Sequence, residues 1–250
     1  MRARVWVLGV PLWPVGLREA LALAARWLRE SGAGPRLIFT PNAEIIARAQ
    51  QDPALKAALA AADLTVPDGI GVVWAARLLG TPVPERVPGI ELLEAVLALA
   101  ARESFTVYFL GGRPGVAEEA ARRLKERWPT LPVAGTHHGY FSAAEEPAVL
   151  AEIQAAAPDI LVAALGAPKQ ELWLTRHRRE LPARLALGVG GSLDVFAGRV
   201  ERAPQLFRGL GLEWLYRLLR QPRRLGRALL LPRFVLAVLG EALAGGRRRE

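Results

Sequence analysis

Short, continuously apolar runs alternate along this chain with longer Ala/Leu/Arg-rich stretches of helical period, and this rhythm restricts the fold more than any other feature. The runs fall at 5–10, 36–39, 106–110, 132–135, 160–165 and 185–189. They do not alternate apolar with polar, so each predicts a strand covered on both faces. Helical patterns lie between them, near 16–30, 42–50, 53–62, 69–79, 89–102, 115–127, 144–156 and 168–180. Strands separated by helices form crossover units. The expected fold is therefore α/β, with a mostly parallel Rossmann-like sheet flanked by helices. At 250 residues and 52% apolar, the chain can bury such a core and is not a disordered one.

The rhythm stops at Gly198. Beyond it the patterns are helical only, near 204–220 and 223–243, punctuated by Pro204, Pro222 and Pro232. Charge shifts at the same place: residues 199–250 hold twelve Arg against four Glu, which is +8 of the net +9. The expected organisation is an α/β domain over 1–198 and a basic, all-helical appendage over 199–250. A basic end of this kind points to an anionic membrane or a nucleic acid. The longest apolar stretch there, 228–240, is interrupted by Pro232 and Arg233 and falls short of the about 20 residues a span needs. Near the N-terminus, Pro11, Pro14, Arg18 and Glu19 break up the apolar run, so it reads as a strand and a helix rather than a leader.

Composition narrows the chemistry. There is no Cys, which removes disulfides, thiolate nucleophiles and Cys-held metals. With only three His, two of them the adjacent loop residues His137 and His138, a His-rich metal site is not expected. No Asp-x-Asp occurs to hold a divalent ion on a diphosphate, and Arg is the natural substitute.

Ligands of open α/β sheets bind beyond the carboxyl ends of the strands. Thr40 and Asn42 follow one strand, placed to cap a helix or hold a ligand. Asp68, one of five Asp, sits in a Pro-Asp-Gly turn, as a turn residue or as a general base. Gly112 belongs to a glycine-rich junction that either admits an anion at a helix N-terminus or makes a tight turn. Gln170 opens another helix, within reach of a base or sugar, and its neighbour Lys169 suits a phosphate. Gly190 and Asp194 lie in the last junction, where Asp194 accepts from hydroxyls or caps a helix. Together these junctions suggest a nucleotide or nucleotide-sugar cleft.

In order, Thr40-Pro41-Asn42, Pro67-Asp68-Gly69-Ile70-Gly71, Glu85-Arg86-Val87-Pro88-Gly89, His138-Gly139-Tyr140-Phe141, Gly166-Ala167-Pro168-Lys169-Gln170-Glu171 and Gly211-Leu212-Glu213-Trp214-Leu215-Tyr216-Arg217 resemble the WecG/TagA/CpsF glycosyltransferases. The resemblance runs from about residue 5 to 240. It implies an inverting transfer of an N-acetylmannosamine-type sugar from a UDP donor, with no metal or other cofactor. The implied acceptor is a polyprenyl-diphosphate-linked N-acetylglucosamine at the inner face of the cell membrane, in cell-surface polysaccharide synthesis. Asp68 then matches the catalytic base, Thr40 its polar neighbour and Arg86 a pocket arginine. Asn42, Gly112, Tyr140, Gln170, Gly190 and Asp194 fall in substrate-binding segments. Arg217, Arg224 and Arg227 match arginines of the appendage that complete the site near the membrane. Pro41 and Pro88 are mild departures from the family pattern.

The donor sugar varies within the family, with a mannosaminuronic acid or glucose as alternatives, and oligomeric state stays open, a homo-oligomer included. Arg217, Arg220, Arg224 and Arg227 are spaced to share one helical face, which suits a diphosphate or anionic lipid. The plainer reading is a helical pair packed on the core with solvated Arg. Two other classes compete: a nucleotide-sensing nucleic-acid binder and a nucleotide-dependent oxidoreductase. Trp214, Tyr216 and Phe234 sit among leucines, which favours lipid over nucleic acid. No glycine fingerprint follows the first strand, which counts against the oxidoreductase.

Overall fold

The computed structural model describes residues 3–30, 34–209, 211, 213–220 and 229–246. It opens with a hairpin of β1 (Val5–Val7) and β2 (Val10–Leu12), with Val7 opposite Val10. Leu8 and Gly9 make the turn at φ of 51° and 71°, the left-handed pair that a two-residue hairpin of this kind requires. The run expected as a single strand of the main sheet therefore folds back and forms its own two-stranded sheet. It docks on the main sheet through Thr65, whose carbonyl accepts from the Trp13 N–H at 2.8 Å and whose hydroxyl donates to the Pro11 carbonyl.

The body then runs α1 (Leu17–Arg29), β3 (Arg36–Phe39), α2 (Ala43–Ala49), α3 (Pro53–Ala61), β4 (Leu64–Thr65), α4 (Ile70–Leu78), α5 (Gly89–Glu103), β5 (Val107–Gly111), α6 (Val116–Arg127), β6 (Val133–His137), α7 (Glu146–Ala156), β7 (Ile160–Ala164), α8 (Lys169–Arg176) and β8 (Leu185–Gly188). Strands β3 to β8 form one parallel sheet in the order β4-β3-β8-β7-β5-β6. Successive strand residues face opposite sides. Ile38, Phe109, Val162 and Leu187 join one core with α1, α5 and α6, while Leu37, Phe39, Leu161 and Ala163 join a second with α2, α3 and α8. This is why the runs are apolar throughout. Because all six strands are parallel, all their carboxyl ends share one edge.

After β8 come α9 (Ser192–Phe196), α10 (Gln205–Gly209), α11 (Glu213–Arg220) and α12 (Leu230–Gly246). The helix expected over 204–220 is thus divided. Its break contains Gly211, at φ 71°, where an added Cβ would lie 2.9 Å from the Ile70 Cβ. The backbone there rests directly on α4. Helix α12 packs on α2 and α4, with Phe234 and Val238 buried in the second core. Among the described residues, no helix is long and apolar enough to cross a membrane.

Candidate functional site

At the carboxyl ends of β3 and β4 the chain forms a compact knot. Asn42 caps α2, its Oδ1 accepting from the Ile45 N–H at 3.0 Å. The Asp68 N–H donates to the Pro41 carbonyl at 3.2 Å, and the Val87 N–H to the Pro67 carbonyl at 2.7 Å. Three segments far apart in sequence are thereby joined by backbone bonds. Gly89 closes the knot: its N–H points to Asp68 Oδ2 at 3.5 Å, and an added Cβ would lie 2.6 Å from Thr40 Oγ1. Thr40, Asp68 and Gly89 are therefore neighbours.

Above this knot lies a cavity of about 800 Å³. Its sheet-side wall carries Asn42, Glu44, Asp68, Arg86 and the turn Val189, Gly191 and Ser192. Its other wall comes from α4, α11 and α12: Ile70, Trp74, Glu213, Trp214, Leu231, Phe234, Val235 and Leu236. The cavity is thus amphipathic, polar against the strand ends and largely apolar beneath the C-terminal helices. Three carboxylates and one guanidinium face it among the described residues.

Of the residues expected in the site, Asn42, Asp68 and Arg86 line this cavity. Thr40 stands behind it against Gly89, and Gly190 sits in the turn between the lining residues Val189 and Gly191. Gln170 is 3% exposed and held inward: its Oε1 accepts from the Gly190 N–H and its Nε2 donates to Glu171 Oε1, both at 2.9 Å. Its amide fixes the glycine turn from behind. Glu171 is buried beside it, and that burial raises its pKa above the usual carboxylate range. Asp194 lies on α9, where its backbone carbonyl accepts from the N–H groups of Arg199 and Val200.

Gly112 and Tyr140 are at the other end of the same edge, beyond β5 and β6, and do not line this cavity. The Gly112 N–H donates to the Ala164 carbonyl at 3.2 Å, so it is a ladder contact rather than a donor aimed at a ligand. Lys169 donates to the Gly139 carbonyl at 3.0 Å and lies over the Phe141 ring, while Tyr140 is exposed.

Arg217 belongs to α11, but its side chain, like Arg224 and Arg227 entirely, lies outside the described residues. Arg220 pairs with Glu201 and stacks near Tyr216. Glu44, Trp74 and Glu213 line the cavity without having been singled out. Glu44 and Glu213 read in sequence as ordinary first-turn acids of α2 and α11. Among the described residues, no three His, Asp or Glu side chains come together to hold a metal.

Residues 5–248 match the profile of the glycosyl transferase WecG/TagA/CpsF family. Over 202 residues, 81% of this chain and 78% of the relative, the sequence is 41% identical to an N-acetylglucosaminyldiphosphoundecaprenol N-acetyl-beta-D-mannosaminyltransferase of Bacillus spizizenii. A match of this extent, on a parallel sheet whose carboxyl edge carries the cavity, establishes that the chain belongs to the WecG/TagA/CpsF family and is a glycosyltransferase.

Proposed function

We propose that this glycosyltransferase moves an N-acetylmannosamine-type sugar from a UDP donor to a polyprenyl-diphosphate-linked N-acetylglucosamine, inverting the anomeric centre without a metal. The observation that carries the reading is Asp68: a carboxylate on the polar wall of an amphipathic cavity, with the Arg86 guanidinium on the same wall. The acceptor named for the Bacillus relative has the matching character, a sugar diphosphate on a long apolar tail.

In the proposed reaction, Asp68 takes the proton of the acceptor sugar hydroxyl as that oxygen attacks the donor's anomeric carbon. The bond to UDP breaks on the opposite face, and its electron pair leaves with the diphosphate. General-base assistance of this kind is worth about 10²–10⁴ in rate. Thr40 orients the carboxylate, and Arg86 meets the leaving charge. Glu44, Asp68 and Glu213 face the same cavity, so a diphosphate there needs more positive charge than Arg86 supplies. Arg217, Arg224 and Arg227 are assigned that role. Asn42, Gly190 and Asp194 form the donor side, Gln170 acts by holding Gly190, and Tyr140 extends the donor side along the edge. The basic C-terminal helices rest on the anionic inner face of the membrane, as a peripheral contact.

The test is UDP release by the full chain in EDTA, with UDP-N-acetylmannosamine and a short-chain lipid diphosphate-N-acetylglucosamine. Acceptor-dependent release is expected. Release that appears only when a divalent ion is restored would remove the metal-free mechanism, and none under either condition would remove the substrate pair.

A further inference from the structure

Two apolar stripes leave the cavity side by side. On α4, Ile70 and Trp74 line the cavity, and Leu78 continues the same face one turn beyond. All three are 40% exposed or more. On α12, Val235 and Leu236 line the cavity, and Leu239 and Leu243 continue outward, again all exposed. The two helices touch, and each has its first turns at the cavity. Their ionisable residues are few: Arg77 on α4, Arg233 and Glu241 on α12. Eight residues at 1.5 Å each give either stripe an apolar path of about 12 Å. Exposed apolar side chains arranged in this way mark a binding surface, and these stripes are continuous with the apolar wall of the cavity that Asp68 also lines.

We propose that the prenyl tail of the acceptor leaves the cavity along a trough between α4 and α12, with Trp74 and Leu78 on one side and Leu236 and Leu239 on the other. This rests on the lipid-linked acceptor proposed above. A sugar diphosphate held at the polar wall has its tail directed to the apolar one, from which both stripes continue outward. Tail contacts then place the sugar hydroxyl at Asp68, so chain length sets acceptor affinity even without a bilayer.

The experiment measures binding of inorganic diphosphate and of dimethylallyl, geranyl and farnesyl diphosphates to the full chain, without vesicles or detergent. Affinity is expected to rise on the order of tenfold per isoprene unit, from partial burial of each. The double variant Leu78→Gln/Leu239→Gln, changed only at exposed positions, is expected to flatten the series. Leu206→Gln, an exposed change on α10, none of whose residues lines the cavity, leaves it steep. A flat wild-type series, or an equally steep one in the double variant, overturns the trough. Loss of anionic-vesicle binding in the double variant with an unchanged series would also overturn it, assigning the stripes to the bilayer. Tail-dependent binding without any sugar transfer would retain the trough and remove the proposed reaction. Transfer with a flat series would do the reverse.

Discussion

The five aspartates divide by their surroundings. Asp52 caps α3 through the Leu55 N–H. Asp63 accepts from Arg36, Arg178 and the Leu37 N–H, and Asp159 from the Thr106 N–H and hydroxyl. These three fix the fold, which leaves Asp68 and Asp194 at the carboxyl edge. Gly89 shows how tightly Asp68 is set, since a side chain there would meet Thr40. Gly89→Ala is expected to cost about 1–3 kcal/mol in denaturant unfolding and to lower turnover further than that loss explains. Glu171 supplies a pH prediction. Its pKa is raised in the folded state by burial, so its contribution is fully present below the unfolded carboxylate pKa and is lost as pH rises through the folded value. Glu171→Gln keeps the shape and cannot ionise. The Tm difference between wild type and Glu171→Gln should therefore shift in favour of the variant as pH rises from the acidic range. A difference that does not change with pH would contradict this.

At the scale of elements, most of the body was legible because its strands other than the edge strand β6 are largely buried on both faces and its helices carry clear starts. Asn42 and Asp52 cap, Pro53 opens α3, and all were visible as residue types. Three things were not legible. The run at 5–10 is uniformly apolar, and only positive φ at Leu8 and Gly9 makes it a hairpin. Strand β4 has two residues, too few for any period. The division of the helix over 204–220 also escaped, since it arises from the contact of Gly211 with α4 rather than from local pattern. Helix α12 is held by Phe234 and Val238, which makes its docking testable. Phe234→Ala removes a buried aromatic, a change worth about 3–5 kcal/mol in a core. Amide exchange across α12 should accelerate while β5 and β7 stay protected; uniform acceleration throughout would mean that α12 is not a separable unit.

For the whole molecule, the site is legible in sequence only from one side. Asn42 and Asp68 follow strands, where ligands of parallel sheets gather, and Arg86, in the loop between α4 and α5, was marked only by the family resemblance. Trp74, Glu213 and the α12 residues enter through tertiary packing of the C-terminal helices, which no local spacing announces. The charge asymmetry acts at this scale too. With +8 of its +9 charge in residues 199–250, the chain should float with anionic vesicles at low salt, release at high salt and ignore neutral ones. Equal binding to neutral vesicles would make the contact apolar instead. The central claim is that Asp68 is the base of the transfer. Its most direct test follows sugar transfer and donor binding together in the wild-type chain and in Asp68→Asn. The account predicts transfer reduced at least about 10²-fold with donor affinity little changed. Asp68→Asn transferring at near wild-type rate, or losing donor binding and transfer together, would contradict it.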